Sequence, residues 1–152
     1  MTEKNTPHAD DLRATLDFQT AFWGAKHALA LASATAFSGH GVHEGQQFVL
    51  RTLWAEDGLT PGEIARRLGL STPTVPRATS RMEAAGLLRR EPHPSDGRMV
   101  LVHLTSRGQE LEKLIDAEMH QVTERALATF EGADRTALIS ALRQIRHNLS
   151  AD

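Results

Sequence analysis

The hydrophobic and polar positions divide the chain into long helical stretches at each end and a shorter, heavily punctuated middle. Residues 10–37 carry no proline and are rich in Ala and Leu. Leu12, Leu16, Trp23, His27 and Ala30 fall on one helical stripe, and Phe18, Phe22, Ala25 and Leu29 on a second. Two stripes predict a long helix contacted on two sides. Ser38-Gly39-His40-Gly41 breaks it. Helical character resumes from Glu44 to Ala55, with Val49 and Leu53 one turn apart, and Asp57-Gly58 ends it.

The middle is denser in signals. Thr60-Pro61-Gly62-Glu63 reads as a helix start, with Thr60 as cap, Pro61 in the first helical position and Glu63 closing a capping box. Ile64, Ala65 and Leu68 face inward, and Gly69 stops that helix. Ser71 or Thr72 caps the next, whose buried stripe is Val75, Ala78, Thr79, Met82 and Ala85, and Gly86 ends it. Leu87 to Glu91 and Met99 to Leu104 read as strands joined by the turn-rich tip Pro92 to Arg98. Thr105 caps a long helix running to about Phe130, and Gly132 breaks it. Asp134 caps a last helix, in which Leu138, Leu142, Ile145 and Leu149 repeat at heptad-like spacing.

Helix, tight turn, helix and a charged hairpin form the order of a winged helix-turn-helix. Small Ala65 permits close helix crossing, and Gly69 supplies the positive-φ turn. The second helix then stands proud, able to enter a major groove. Its outer face carries Thr72, Thr74, Arg77 and Arg81, expected to approach DNA. Arg89 and Arg90 at the hairpin base suit phosphate contacts. Arg98 at the tip suits a minor groove, with Asp96 orienting it or tying down the turn. Pro76 sits badly in this helix. With Thr72 as cap, its missing N–H forfeits a bond to the Thr72 carbonyl, so the helix is expected to start late or bend.

Composition changes the picture in two places. The net charge of −2 alone speaks against a nucleic-acid partner. Its distribution does not: residues 51–107 hold nine Lys/Arg against six Asp/Glu, and the remainder eight against thirteen. Basic character sits on the module that would read DNA. The chain has no cysteine, which excludes disulfides, cysteine nucleophiles and thiol-based oxidation sensing. The 152 residues suit one domain. No apolar run spans a bilayer, and the polar start lacks a signal-peptide pattern, so a cytoplasmic protein is expected. No Gly-rich phosphate loop or Ser/His/Asp context suggests an enzyme, and no cofactor is implied.

Leu87-Leu88-Arg89-Arg90-Glu91-Pro92-His93-Pro94-Ser95-Asp96-Gly97-Arg98, followed by Leu104-Thr105-Ser106-Arg107-Gly108, resembles the MarR family of bacterial transcription regulators. Arg81-Met82-Glu83-Ala84-Ala85-Gly86-Leu87 is similar too. The resemblance implies a mainly α (α+β) fold: a winged helix-turn-helix over residues 42–104, with dimerisation helices at 10–41 and 105–150. It implies a homodimer on a pseudo-palindromic operator of double-stranded DNA. It also implies repression relieved by a small aromatic or anionic effector. Trp23 and His27, one turn apart, with His43 and Arg51 beside the second helix, are expected to cradle that ligand. Trp23 serves equally as dimer core, and Arg51 can instead pair with Glu44. Two alternatives stand beside this. One is a zinc-sensing regulator using His40, His43 and Glu44 or His120 and Glu124, although no set has the spacing of a structural zinc site. The other is a winged-helix protein-interaction module that leaves DNA alone.

Overall fold

The computed structural model describes residues 8–71 and 73–150. Helix α1 (Ala9–Ser38) leads to α2 (Gln46–Ala55), α3 (Pro61–Leu68) and α4 (Thr74–Ala84). The hairpin β1 (Leu88–Pro92) and β2 (Val100–Leu104) follows, then α5 (Ser106–Ala126) and α6 (Gly132–Leu149). Among the described residues no helix is long and apolar enough to cross a membrane.

The core lies in the middle of the chain. Leu50, Ile64, Val75, Met82, Leu87, Val102 and Ile115 are wholly enclosed, drawing on α2, α3, α4, the hairpin and α5. Each such side chain contributes about 1.5–3 kcal/mol by leaving water. The antiparallel strands pair Leu88 with Leu104 and Arg90 with Val102. Leu59 adds one further bridge, its carbonyl accepting the Val102 N–H at 2.8 Å. That contact ties the α2–α3 connection to the wing.

Local chemistry sets the boundaries. Thr60 caps α3 as expected: its hydroxyl oxygen accepts the Glu63 N–H at 3.2 Å, and the Glu63 carboxylate accepts the Thr60 N–H at 2.8 Å. The Thr60 N–H first, and the Thr60 hydroxyl donating to the same carboxylate at 2.8 Å second, hold Glu63 below the usual carboxylate pKa range. Gly69 ends α3 at φ 64°, and Gly86 follows α4 at φ 75°.

The start of α5 is stitched to the hairpin base. Thr105 accepts the Gly108 N–H on its hydroxyl oxygen at 3.1 Å and donates that hydroxyl to the Gly86 carbonyl at 2.7 Å. Its backbone N–H donates to the Leu87 carbonyl at 3.1 Å. Trp54 of α2 reaches the same turn, donating Nε1–H to the Gly108 carbonyl at 3.0 Å.

Several boundaries differ from expectation, α2 beginning at Gln46 rather than Glu44 among them. Helix α5 ends at Ala126 rather than near Phe130. Arg135 explains the corner: it donates to the Leu127 and Phe130 carbonyls, both at 3.1 Å, and grips Glu124 at 2.8 Å. Helix α6 starts at Gly132 with Glu131 in the capping position, so Asp134 is a first-turn acid and not the cap. Ala85, placed on the buried stripe of α4, is exposed because it is the residue that leaves the helix.

Helix α1 packs along α5, yet most of its apolar side chains, and those of α6, are left uncovered within one chain. Phe37 is the only buried residue of α1 among those described, and α6 has none. Leu16, Trp23, Leu31 and Leu142 stand 45–65% exposed.

Candidate nucleic-acid interface

The α3–turn–α4 unit presents one face of α4. Gly69 turns the chain, and the Leu70 N–H closes the end of α3 on the Ala65 carbonyl at 2.9 Å. Val75, Thr79 and Met82 point into the core with no exposure. Thr79 satisfies its buried hydroxyl within the helix, on the Val75 and Pro76 carbonyls at 3.0 and 3.1 Å. The opposite face offers Thr74, Arg77, Ser80 and Arg81. Thr72, expected to cap this helix, lies outside the described residues. Ser71 and Thr74 share a hydroxyl–hydroxyl hydrogen bond of 2.8 Å there.

Pro76 is resolved by where the helix begins. Pro73 occupies the capping position, so Pro76 is the third helical residue. The first helical N–H groups have no partner inside a helix in any case, so the ring forfeits no bond of the ladder. The helix starts late.

The arginines of the module fall into two groups. Arg67 donates to Glu56 at 2.6 Å. Arg89 pairs with Glu91. Arg90 donates Nε–H to Glu83 at 2.7 Å and reaches the Ser80 hydroxyl at 3.3 Å. That Arg90 contact holds Glu83 below the usual carboxylate range. Among the described residues, no hydrogen bond or ion pair engages the guanidinium of Arg77, Arg81 or Arg98. Arg77 and Arg81 line two adjoining open clefts, one with Pro76 and Ser80, the other with His43, Glu44 and Thr74.

At the wing tip Asp96 is spent on backbone. Its carboxylate accepts the Arg98 N–H at 3.0 Å, and its carbonyl accepts the Met99 N–H at 3.0 Å. It therefore shapes the turn that carries Arg98 without neutralising the Arg98 side chain.

The four side chains expected around a ligand do not share one of the clefts. His43 lines the one beside Arg77 and Arg81. Arg51 pairs with Asp116 of α5, not with Glu44. Trp23 donates Nε1–H to Gln19 at 2.9 Å and carries the Lys26 ammonium 4.5 Å above its ring. His27 is exposed on α1. His40 contacts Glu118 at 3.4 Å, and Glu124 is held by Arg135. Among the described residues no three His, Asp or Glu side chains converge as a metal site would require.

Comparison with known proteins decides the family. The MarR family model matches residues 42–100. The HTH-type transcriptional regulator TtmR of Methylorubrum extorquens is 34% identical over 139 residues, spanning 90% of this chain and 70% of that one. The chain belongs to the MarR family. It is thus a MarR-type transcriptional regulator, and not an enzyme. An HTH-type regulator of Mycobacterium tuberculosis is 35% identical over 96 residues, covering 63% of this chain and 67% of its own. Among solved structures, the transcriptional regulator SlyA superposes with TM-score 0.80 at 23% identity, over 90% of this chain and 96% of that one. Reduced AbfR bound to DNA superposes with TM-score 0.78 at 23% identity, over 93% and 97%. Both structures share the fold described above.

Proposed function

We propose that this MarR-type regulator binds duplex DNA as a homodimer, represses transcription at a pseudo-palindromic operator, and is released by a small-molecule effector. One observation carries this most directly: Arg77, Arg81 and Arg98 are exposed without a carboxylate partner, while Arg67, Arg89 and Arg90 each have one. An arginine already paired must give up its partner to take a phosphate or base; an unpaired one need not. Thr74, Arg77 and Arg81 on α4 would meet base edges, and Arg98, on a turn shaped by Asp96, an adjacent minor groove. Arg89 and Arg90 would serve phosphates at the cost of their internal pairs. AbfR, a protein of the same fold, is known bound to DNA, which supports a DNA partner.

The unburied ends support the dimer. Helix α6, with Ile139, Leu142 and Leu149 exposed and no residue buried, is tied to its own chain mainly through Arg135 in its first turn. A second copy meeting α1 and α6 would cover these residues. A two-fold axis then sets two reading helices about 34–36 Å apart, one helical turn of DNA. An effector seated against α1, α2 and α5 would shift that spacing if it favoured a non-binding separation. Sedimentation together with a gel shift tests the proposal. The expected result is a stable dimer whose DNA affinity falls steeply with salt and is cut at least tenfold in Arg77→Ala/Arg81→Ala. A folded monomer at micromolar concentration, or DNA binding indifferent to the double substitution, contradicts it.

A further inference from the structure

His103 on β2 stands between two carboxylates that come from different parts of the fold. Its Nδ1 lies 3.4 Å from Asp57 Oδ2, in the α2–α3 connection, and its Nε2 lies 3.5 Å from Glu91 Oε2 on β1. The side chain is 20% exposed, and Gly58 approaches it so closely that a Cβ there would stand 2.8 Å from His103 Cε1. Asp57 is fixed from behind, because its other carboxylate oxygen accepts the Leu104 N–H at 2.9 Å. Glu91 is shared: it also pairs with Arg89, the residue directly opposite His103 on the ladder. Among the described residues no other carboxylate pairs with the ring, and Glu56, beside Asp57, is taken by Arg67. A neutral imidazole has one N–H and one lone pair, so it donates to one flanking carboxylate and turns a lone pair on the other. An imidazolium donates to both.

We propose that His103 is a positioning residue for DNA binding: its protonation draws Glu91 onto the ring and releases Arg89 to a DNA phosphate. This rests on the DNA-binding function proposed above and adds proton control to it. With His103 neutral, Arg89 is the only cation of the group and Glu91 stays with it. With His103 charged, Asp57, Glu91, Arg89 and His103 carry two charges of each sign, and the ring competes for Glu91 from across the ladder. An arginine relieved of its carboxylate meets a phosphate without first breaking a pair. The handover takes place on the hairpin strands, so it changes the grip on the backbone and leaves base reading by α4 as it is. Imidazole is the side chain whose ordinary charge change falls within about pH 5–8. DNA affinity therefore rises as pH falls through that range.

Fluorescence anisotropy of the full chain at about pH 8 and about pH 6 tests this. A phosphate contact carries no sequence information, so the probe is a labelled duplex of random sequence at low salt. The parent should gain about two- to fivefold in affinity on acidification beyond the gain of His103→Gln, the worth of one exposed ion pair. That subtraction removes the contribution of the other histidines, His43 beside Arg77 and Arg81 and His93 at the wing tip among them. Arg89→Ala and Arg89→Ala/His103→Gln should respond to pH alike, because the arginine that the proton releases is gone. Glu91→Gln should bind at about pH 8 as tightly as the parent does at about pH 6. This last variant and Arg89→Ala alter exposed side chains and keep the test standing if His103→Gln does not fold. An equal pH response in parent and His103→Gln, a His103-dependent response that survives Arg89→Ala, or a Glu91→Gln protein that binds no tighter than the parent at about pH 8 would overturn the proposal while DNA binding stands. No binding at either pH removes the DNA-binding function itself, and the proposal with it.

Discussion

Gly108 is where a single methyl group should do most harm. Its α-carbon sits in the first turn of α5, directly under the hairpin base. A Cβ there would lie 2.2 Å from the Leu87 carbonyl oxygen and 3.2 Å from Leu104 Cδ2. Ordinary carbon–oxygen contacts are about 3.3 Å or longer, so something must move by roughly 1 Å. The obstacle is backbone, and that same carbonyl accepts the Thr105 N–H at 3.1 Å. Two effects oppose each other in Gly108→Ala. Alanine favours the helix by up to about 1 kcal/mol. Overpacking costs about 1–3 kcal/mol, and loss of the Leu87–Thr105 bond about 1 kcal/mol more. The clash should win by about 1–3 kcal/mol. For a chain of this size that lowers the melting temperature by about 2–10 °C. Differential scanning calorimetry should be run at one fixed protein concentration, because a dimer's melting point depends on it. Thr105→Ala is the matched control: it removes the cap, costs about 1 kcal/mol and introduces no clash. A Gly108→Ala protein melting at or above the parent would refute the reasoning, because helix propensity would then have outweighed the contact.

Three further outcomes follow from the same geometry. Pro76→Thr should leave operator preference unchanged and should not stabilise. The proline sits in the first turn of α4, and releasing its ring frees the unfolded chain, a loss of about 0.4–1 kcal/mol; a melting point raised by several degrees would count against the late helix start. Arg98→Ala should weaken operator binding by about 1–3 kcal/mol with folding unchanged, read by fluorescence anisotropy over a salt series. The Glu63 carboxylate titrates below its ordinary value in the folded protein because it accepts the Thr60 bonds. Its contribution is therefore complete above the unfolded value of about 4.3 and is lost as pH falls through the lower folded value. The melting-point gap between parent and Glu63→Gln should be constant near neutrality and close in acid, and a gap that widens in acid would contradict the sign.

Much of this fold could be read from local chemistry because local chemistry causes it. The Thr60–Glu63 box, the left-handed Gly69 and the turn-rich hairpin tip are short-range devices, and each appears where its residues stand. What stayed hidden depends on partners far along the chain. Nothing around Leu127 announces that Arg135 will take its carbonyl and end α5. Nothing around Arg51 announces Asp116 sixty-five residues away. Pro76 looked misplaced because the capping residue was assumed to be Thr72, and moving the start by one residue, to a Pro73 cap, removes the conflict. Position along the module already set Arg89 and Arg90 apart as phosphate contacts from Arg77, Arg81 and Arg98 as groove contacts. Which of them carry a carboxylate partner shows only in the fold. His103 drew no attention at all, since a histidine on a strand is ordinary until two carboxylates prove to flank it.

The most direct test of the central claim is to incubate the purified protein with sheared genomic DNA and sequence what it retains. Retained fragments should share a motif whose two halves are related by a two-fold axis and spaced by one helical turn. Enrichment should fall with rising salt and be lost in Arg77→Ala/Arg81→Ala. Retention of no fragment above background, or an enriched motif that the double variant recovers equally well, would contradict DNA recognition by this face of α4.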